Sequence, residues 1–297
     1  MFDEADHDVD ALVEFVLRHP RLFVLTGAGV STDCGIPDYR DARGDWKRPP
    51  PVSHQAFMGS HGVRQRYWAR SLVGFRALAA AHPGEAHAAL ATLERQCRIT
   101  SLVTQNVDGL HQKAGSRRVI DLHGQADMVK CMNCGATRMR HALHDELAQR
   151  NPEWLSLSAE VGPDGDADLD GYDFSTFEVP GCHRCHVGIL KPDVVFFGDN
   201  VPKPRVEQAF SALEEAAGML VIGSSLMVYS GFRFARRAAK SGKPMACLNL
   251  GATRADDLFD LKLTASIGPT LTALVDELGP WQRGDAPKRQ NPASAGS

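Results

Sequence analysis

The chain has 297 residues, of which 43% are hydrophobic and 23% charged, and its formal net charge is −3. This composition is typical of a soluble globular protein long enough for two domains, or for one large domain that carries insertions. It lacks the basic excess of a general nucleic-acid binder, and no apolar run approaches the roughly 20 residues that cross a membrane. The acidic N-terminus, MFDEADHDVD, argues against a secretory or mitochondrial leader, so we expect a cytoplasmic protein without nucleic-acid or membrane partners.

Short apolar strands alternate with amphipathic helices along the chain. The spacing of apolar residues predicts a first helix that is capped by Asp8 and ends at His19 and Pro20. Strands are predicted at 22–25, 99–104, 119–122, 194–197, 219–222 and 245–248. Helices are predicted at 53–81 with a break near 59–62, and at 85–94, 202–217, 229–241 and 270–278.

This alternation predicts an α/β protein with a Rossmann-like, mostly parallel sheet and helices on both faces. We expect the large domain to comprise residues 1–125 and 191–283, with a helical excursion at about 40–85. A small module is inserted at 126–190, and its acidic, glycine-rich middle, 162–171, is predicted to be an exposed loop. Residues 284–297 are rich in Gly, Pro, Ala and Ser, which predicts a disordered tail.

Small or polar residues follow several of the predicted strands. In open α/β sheets, ligands bind beyond the carboxyl ends of the strands, so these residues are expected to converge on one edge. They are Gly27-Ala28-Gly29, Gln105-Asn106, His123, Gly223-Ser224-Ser225 and Asn249.

The glycine-rich turn at 27–31 could bring backbone N–H groups to a phosphate at a helix N-terminus. The third glycine of a dehydrogenase fingerprint is replaced by Thr32, and no second strand precedes Asp45, so that fingerprint fails. Two interpretations stay open for the turn alone: phosphate binding, or a tight strand-to-helix connection without a ligand. Farther on, Arg40 offers a fork for a phosphate, and Pro37 stiffens the loop that carries it.

Seven cysteines include two C-x-x-C pairs, separated by 47 residues, at Cys131/Cys134 and Cys182/Cys185. Two such knuckles predict a tetrahedral thiolate site for one structural zinc, which has no open position for catalysis. The alternative is two unlinked pairs, reduced or oxidised to disulfides. His183 and His186 flank Cys185 and are expected to be exposed rather than to act as ligands.

Six segments together resemble the sirtuin family, in sirtuin order, over about residues 22–267. They are GAGVSTDCGIPDYR from Gly27, TQNVDGLH from Thr104, LHG from Leu122, KPDVVFFGD from Lys191, GSSL from Gly223 and NLG from Asn249. RQRYWARSLVGF at 64–75, together with FFGD, is similar to the class II branch, which includes mitochondrial deacylases and bacterial relatives.

The resemblance implies an NAD-dependent protein-lysine deacetylase or deacylase that consumes NAD and carries a structural zinc. In this chemistry the acyl-lysine oxygen attacks C1′ of the nicotinamide ribose and nicotinamide leaves. The general base, His123, then activates a ribose hydroxyl, which attacks the carbon of the resulting alkylimidate. Water completes the release of lysine and O-acyl-ADP-ribose. Asn106 is implied as a second catalytic residue that orients the ribose and a water.

The family motifs also imply the residues that bind NAD and the substrate. Asp108 and Ile36 are implied to contact the nicotinamide carboxamide, Gln105 the ribose, and Ser225 and Asn249 the adenosine side. Taken without the resemblance, Asp108 is better explained by an Asx-turn before Gly109. The other implied NAD-binding positions are Gly27, Ala28, Gly29, Ser31, Thr32, Pro37, Asp38, Tyr39, Arg40, Val107, Gly223, Ser224, Leu250, Gly251 and Ile267. Val195 and Gly198, with Phe196 between them, are implied to pair with an extended acylated peptide. The chain departs from common family residues by Ser at position 224 in place of Thr and Tyr at position 39 in place of Phe.

Tyr67 and Arg70 match the Tyr-x-x-Arg spacing of the branch that removes acidic acyl groups, where the arginine binds the terminal carboxylate. The alternative is a surface arginine, stacked on Trp68 or salt-bridged, beside a buried tyrosine. Deacetylation is the default activity, with succinyl, glutaryl-like and lipoyl groups left open.

Three other functions compete with deacylation. An ADP-ribosyltransferase would use the same NAD site, and an assay for transferred ADP-ribose distinguishes it. A non-catalytic NAD-sensing module has no need of the intact set of His123, Asn106 and Asp108, and the failed fingerprint counts against an NAD oxidoreductase. The expected partner is an acylated lysine in an extended peptide, and we expect a monomer.

Overall fold

The computed structural model describes residues 3–162 and 165–280. The tail predicted at 284–297 lies outside the described residues. The strands of the described chain are β1 Leu22–Thr26, β2 Ile99–Thr104, β3 Val119–Asp121, β4 Gly124–Cys131, β5 Thr137–Met139, β6 Leu190–Val194, β7 Gly218–Ile222, β8 Met245–Leu248 and β9 Leu261–Leu263. The α-helices are α1 Asp3–Arg18, α2 His54–Gly59, α3 His61–Ala80, α4 Glu85–Arg95, α5 Leu110–Lys113, α6 Arg140–Arg150, α7 Lys203–Glu215, α8 Tyr229–Lys240 and α9 Ile267–Leu278.

Six of the strands form a parallel sheet in the order β3-β2-β1-β7-β8-β9. The central strands are continuous apolar runs and every residue of β1, β7 and β8 is buried, as expected for a sheet covered on both faces. The strand order reverses between β1 and β7. Thr26 pairs with both Thr104 and Ile222, so the carboxyl ends of β1, β2 and β7 are level at this reversal.

Helices pack on both faces of the parallel sheet. On one face, side chains of α1, α4 and α9 such as Leu12, Leu90 and Leu271 form a fully buried cluster with the sheet. On the other face, α7 and α8 contribute Leu213 and Phe234. Burial of each such side chain contributes about 1.5–3 kcal/mol, so the helices are held mainly by their apolar stripes. The predicted Rossmann-like α/β fold is confirmed.

A second, three-stranded sheet has the order β5-β4-β6, and both of its pairings are antiparallel. It shares a third core with α2, α3 and α6, built around Phe57, Trp68 and Leu143. This sheet and α6 correspond to the inserted module, whose bounds at 126–190 stay a prediction. Within the described residues, none of the helices is both long enough and apolar enough to span a bilayer.

Some helices and strands were predicted with wrong bounds, and others that the structure contains were not predicted. The first helix begins at Asp3 rather than after Asp8, and α9 begins at Ile267, three residues earlier than predicted. The strand predicted at 194–197 is instead β6, which ends at Val194 because its residues pair with β4. Nothing in the sequence reading anticipated β4, β5, β9 or α6.

The acidic segment 162–171 was predicted to be exposed, and this is wrong for its middle. Gly165, Asp166 and Ala167 are buried against α3, where the Ala167 N–H donates to the carbonyl oxygen of Arg70 at 3.0 Å. A glycine in α3 makes this approach possible, because a Cβ at Gly74 would lie 2.3 Å from the Gly165 oxygen. Glycines therefore mark a packing contact here and not only a turn.

Candidate functional site

A cavity of about 640 Å³ lies at the carboxyl edge of the parallel sheet. Its floor is formed by residues that follow β1, β2, β7 and β8, at the reversal of strand order. Segments 36–52 and 192–201 form its sides. Both the position and the size are those of a small-molecule site in an open α/β fold.

Most of the residues predicted for the site line this cavity. They are Ala28, Gly29, Ser31, Thr32, Ile36, Pro37, Asp38, Tyr39, Arg40, Tyr67, Gln105, Asn106, Val107, Asp108, His123, Val195, Phe196, Gly198, Gly223, Ser225, Asn249, Leu250, Gly251 and Ile267. Three predicted residues lie outside the lining: Gly27, Arg70 and Ser224. Each of the three supports a neighbour that does line the cavity.

Gly27 and Gly29 allow the turn after β1 to pack against the end of β7. The Gly29 N–H donates to the Gly223 oxygen at 2.9 Å, and a Cβ at Gly27 would lie 2.7 Å from that same oxygen. After this contact, residues 28–30 form a 3₁₀ turn. The glycines are therefore required for close packing, which in turn presents Ala28, Gly29 and Ser31 to the cavity.

Ser31, Asn106 and Asp108 form a connected polar network on the floor. The Asn106 amide donates to the Gly27 oxygen at 3.0 Å and to the Ser31 hydroxyl oxygen at 3.1 Å. The Ser31 hydroxyl donates to Asp108 Oδ2 at 2.8 Å, while Asp108 Oδ1 accepts from the Leu110 N–H at 2.9 Å. Asp108 thus makes the expected turn contact and also lines the cavity, while its contact with nicotinamide stays a prediction.

His123 is placed between β3 and β4 with both ring nitrogens engaged. Nδ1 lies 2.9 Å from the Gln105 carbonyl oxygen, and because a carbonyl only accepts, Nδ1 carries the proton. Nε2 then accepts from the Ser230 hydroxyl at 2.8 Å. Burial lowers the pKa of His123 to about 4, against the weaker raising effect of the Gln105 hydrogen bond. The ring is therefore neutral at pH 7, with a lone pair on Nε2.

Ser224 explains the position of Gln105. Its hydroxyl donates to Gln105 Oε1 at 2.7 Å, and its oxygen also accepts from the Leu226 N–H at 3.3 Å. Ser224 is buried, so it orients Gln105 rather than facing the cavity. Across the floor, Asn249 donates to the Gly251 oxygen at 2.9 Å, which orders the loop after β8.

The segment after β6 lies beside His123. The Val195 N–H donates to the His123 carbonyl oxygen at 2.8 Å, so this predicted peptide-binding donor is already engaged within the chain. The Gly198 oxygen accepts from the Gln55 amide at 2.9 Å. Phe196 packs against Tyr67, with ring centroids 5.4 Å apart.

The structure places Tyr67 and Arg70 in different surroundings, and their joint role in acyl selection stays a prediction. Tyr67 lines the cavity, whereas the Nε of Arg70 donates to the Ala167 oxygen at 2.7 Å and holds the buried segment around Gly165. Residues three apart on a helix differ by about 60° in direction, and here that difference separates their environments.

Several lining residues were missed by the sequence reading. Ser230 and Arg233 in α8, Arg140 in α6, and Ser71 and Phe75 in α3 all reach the cavity. None follows a predicted strand, and their contribution depends on how helices from distant parts of the chain pack. Tyr67, Ser71, Phe75 and Leu78 recur every three or four residues and therefore share one face of α3. This spacing was the one signal in the sequence that these residues could line the same cavity.

The four cysteines of the two C-x-x-C pairs form one cluster. Their ligand atoms all lie within 4.8 Å of one another, and the Sγ atoms of Cys131 and Cys185, and of Cys134 and Cys182, are 3.7 Å apart. A tetrahedral site with Zn–S bonds of about 2.3 Å has sulfur–sulfur edges of about 3.8 Å, whereas a disulfide requires about 2.05 Å. All four are free thiols, His183 and His186 are exposed, and the cluster fits a structural zinc.

The donor set of the main cavity fits a dinucleotide such as NAD. The turn at residues 28–32 and the loops after β7 and β8 place backbone groups, Ser225 and Asn249 at one edge. Asn106 and Asp108 supply amide and carboxylate groups that are hydrogen-bonded to the Gly-rich turn, and neutral His123 lines the same cavity. Fold and site together define an α/β protein of the nucleotide-binding class with a separate four-cysteine cluster that could hold a structural metal ion.

Comparisons with known proteins identify the family. Residues 27–230 match the Sir2 family. The chain is 59% identical over 253 residues to NAD-dependent protein deacetylase 2 of Bradyrhizobium diazoefficiens, covering 85% of this chain and 92% of that protein. It is 58% identical over 264 residues to an NAD-dependent protein deacetylase of Xanthomonas campestris, covering 89% and 90%. A solved structure of Sir2 with a p53 peptide and NAD⁺ is 31% identical, with a TM-score of 0.70 and coverage of 88% and 95%.

The chain belongs to the Sir2 family. A solved structure from work on the mechanism and regulation of Sir2 enzymes agrees over 92% of this chain and 98% of its own, with a TM-score of 0.72 and 29% identity. The predicted sirtuin resemblance is therefore confirmed at the level of the family.

Proposed function

We propose that the protein is an NAD-dependent protein-lysine deacetylase of the class II type, acting in the cytoplasm. The observation that carries the proposal is the state of His123, a residue that lines the cavity: it is neutral at pH 7, with Nδ1 bound to the Gln105 carbonyl and Nε2 accepting from the Ser230 hydroxyl. The identity to deacetylases of Bradyrhizobium and Xanthomonas and the four-cysteine cluster support it. We take the large domain, the inserted module and a monomeric chain as the working organisation.

Bound NAD would supply an electrophilic ribose carbon from which nicotinamide is the leaving group. The residues of this chain bind and orient the reactants around that carbon. Asn106, fixed through its amide to Gly27 and Ser31, offers its side-chain oxygen to a ribose hydroxyl or a water. Asp108, with Ile36, takes the nicotinamide carboxamide, and the loops after β7 and β8 hold the adenosine side through Ser225 and Asn249.

His123 moves the proton. Because its Nδ1–H is committed to the Gln105 carbonyl, Nε2 is the atom that accepts a proton from a ribose hydroxyl that replaces Ser230. The imidazolium that forms keeps the Nδ1 hydrogen bond, which stabilises its charge. Ser224 holds Gln105 in place, so it acts as a positioning residue for the base.

The acylated lysine would enter along the segment that follows β6. Phe196 and Gly198 line this approach, and Tyr67 packs behind Phe196. The Val195 N–H is bound to His123, so we assign Val195 to the placement of the base and leave peptide pairing to the residues around Gly198.

Mass spectrometry of an acetyl-lysine peptide, with and without NAD, tests the proposal. We expect NAD-dependent release of the free lysine peptide, nicotinamide and O-acetyl-ADP-ribose, and a loss of at least about 100-fold in His123→Ala, the usual contribution of a general base. His183→Ala, which alters an exposed histidine outside the cavity, is the matched control. ADP-ribose attached to protein without deacetylation would instead identify a transferase.

A further inference from the structure

Helix α8 carries a row of cations that begins at the edge of the main cavity. Between Tyr229 and Lys240 the helix has four basic residues and no acidic one. Three of them, Arg233, Arg236 and Lys240, are spaced by three and four residues, so their side chains share one face of the helix. We call these three residues the basic row.

Arg233 is the member of the basic row that lines the cavity. It is half-buried, and its guanidinium carbon lies 5.2 Å from the centroid of the Tyr229 ring, which also lines the cavity. Its Nη atoms make no hydrogen bond within the described residues and are not fully buried, so they can receive an anion. Ser230, whose hydroxyl donates to Nε2 of His123, precedes Arg233 by three residues, so this open cation lies about one helical turn from the base.

Arg236 and Lys240 continue the row outside the lining of the cavity. Both are exposed, and no salt bridge joins any member of the basic row to a carboxylate within residues 3–162 and 165–280. The fourth cation of the helix, Arg237, is instead paired with Glu214 of α7. The row is therefore a set of like charges without counter-charges, which an acidic partner would stabilise.

The position and the length of the row select the partner. NAD is held by residues that line the cavity, so it would leave Arg236 and Lys240 unused. The helix rises about 10.5 Å from Arg233 to Lys240, and an extended peptide advances about 3.3 Å per residue, so three or four residues beside an acylated lysine would span the row. The whole chain has a net charge of −3, so the row is a local feature rather than part of a general attraction for polyanions.

We propose that the basic row is a docking surface for acidic side chains of the protein substrate, namely Asp or Glu within about four residues of the acylated lysine on one side of it. Arg233 binds the carboxylate nearest the lysine, at the edge of the cavity. Arg236 and Lys240 bind carboxylates farther along the peptide. The proposal rests on the proposed deacetylase function and names the sequence context that the same site prefers.

Binding of matched peptides without NAD tests the docking surface. Each peptide carries a central acetyl-lysine, with Glu at the second, third and fourth positions either before or after it, and Gln replaces all three Glu residues in the control peptides. Fluorescence anisotropy should show that the Glu peptide of one side binds about 10-fold more tightly than its Gln counterpart, as for three exposed ion pairs. An increase in salt from about 0.05 M to about 0.3 M should reduce this ratio to about two, because screening weakens exposed pairs. A ratio of about one on both sides, or a ratio that salt does not change, overturns the proposal.

Variants then assign the ratio to the basic row. Arg236→Gln/Lys240→Gln changes two exposed residues and should reduce the ratio to about threefold or less, and the further change Arg233→Gln should reduce it to about one. The control Arg18→Gln/Arg95→Gln removes the same charge from two exposed arginines of α1 and α4, on the other face of the sheet, and should leave the ratio unchanged. An unchanged ratio in the first double variant, or an equal loss in the control, contradicts the assignment.

A nucleic acid is the other polyanion that could bind such a row. A single-stranded DNA of mixed sequence and about 20 nucleotides is titrated under the same conditions, and we expect it to bind more weakly than the Glu peptide, because only the peptide also places acetyl-lysine in the cavity. DNA that binds more tightly than the Glu peptide and loses affinity in Arg236→Gln/Lys240→Gln would overturn the assignment to a protein substrate.

Turnover separates this outcome from that of the proposed function. With NAD, release of free lysine from the Gln peptide tests deacetylation. We expect the Glu peptide to have a KM about 10-fold lower than that of the Gln peptide and the same kcat, because the row binds substrate and transition state equally. Turnover of both peptides with equal KM and equal affinity overturns only the docking surface. The expected affinity ratio without turnover of either peptide overturns only the proposed function.

Discussion

At the scale of single residues, the reactivity of the site depends on which nitrogen of His123 carries the proton. The Gln105 carbonyl fixes the proton on Nδ1, and the Ser230 hydroxyl meets the lone pair on Nε2. Ser230 therefore stabilises the neutral ring, which is the form that can act as a base. The pH dependence of activity should therefore change when Ser230 is replaced, although Ser230 is not itself the base.

Ser230→Ala tests this role. A hydrogen bond to the neutral ring contributes about 1 kcal/mol, so its removal should raise the pKa of His123 by about one pH unit from its value of about 4. The acid limb of kcat/KM for acetyl-lysine peptide, which we expect below pH 5 in the wild type, should move to correspondingly higher pH. The measurement is a kcat/KM profile from about pH 3.5 to about pH 8, which includes the acid limb of both proteins.

Ser241→Ala removes an exposed hydroxyl at the end of the same helix, α8, and serves as the control. An acid limb at the same pH in Ser230→Ala and in the wild type would show that Ser230 has no influence on the base.

The sequence predicted site residues only where they belong to a recognisable motif that follows a strand. His123, Asn106 and Asp108 follow strands, and the level ends of those strands bring them together. Arg140 gave no such signal, because its burial results from the contact between α6 and α3, which are distant in the sequence. The spacing of Tyr67 and Arg70 predicted a pair, but the buried segment at Gly165 captures the arginine.

At the scale of elements, β4 joins the two functional centres. It begins at Gly124, directly after His123, and ends at the zinc-site residue Cys131. Gly124 has φ of +85°, and a Cβ there would lie 1.8 Å from the Asp193 oxygen, so the turn that releases the chain from His123 into β4 requires glycine. Disorder at the cysteine cluster would therefore disturb β4, and with it the position of His123, which directly precedes this strand.

Loss of the metal ion should consequently abolish activity, although none of the four cysteines that would bind it lines the main cavity. Cys182→Ser removes a buried thiolate ligand, and we expect less than one zinc per chain, lower helix content from α6, and loss of deacetylation. Zinc analysis, circular dichroism and the deacetylation assay measure these effects.

His183→Ala changes the exposed neighbour of Cys182 and should retain one zinc and full activity. Full activity in zinc-free Cys182→Ser would show that the two centres are independent.

Parallel strands were easier to predict than the antiparallel sheet for a physical reason. β1, β7 and β8 are buried on both faces and therefore appear as continuous apolar runs. β4 has the sequence GQADMVKC, with buried and exposed positions mixed and a register shift between Gly124 and Val129, so it carries no clear period. Its existence follows from pairing with β6, which is a long-range property.

At the scale of the whole molecule, several buried histidines make stability dependent on pH. Burial lowers the pKa of His111 to about 3 and that of His123 to about 4, from an ordinary value of 6.5, and it also lowers the pKa of His87. The folded chain keeps these rings neutral, whereas the unfolded chain takes up protons below about pH 6.5. Their contribution to stability is therefore complete above pH 6.5 and is lost as the pH falls towards 4.

We expect the free energy of unfolding to fall by about 1.4 kcal/mol per pH unit for each of His111 and His123 in this range. Urea unfolding at pH 7, 6 and 5 measures the slope. His111→Gln removes one titrating ring while keeping a polar atom for the Thr26 hydroxyl, which lies 3.0 Å from His111 Nε2, so the slope should decrease by about one histidine.

Protonation of the cysteine cluster also contributes to acid unfolding, but equally in wild type and variant, so the difference between the two slopes isolates His111. Equal slopes would contradict the assignment of this acid sensitivity to His111.

The chain passes between the large sheet and the inserted module twice, once in each direction, and the two connecting segments are hydrogen-bonded to each other. Gly124 pairs with Val194, and the Val195 N–H is bound to the His123 oxygen, so the chain leaves and returns at one hydrogen-bonded point. We therefore expect that a chimera could carry the segment between Cys134 and Cys182 from a relative. The pairing of His123 and Gly124 with Val194 and Val195 should be unchanged in such a chimera. Such a graft would replace the lining residues Arg140 and Gly165 but not His123, so one wall of the cavity and the histidine lie on separate stretches of the chain.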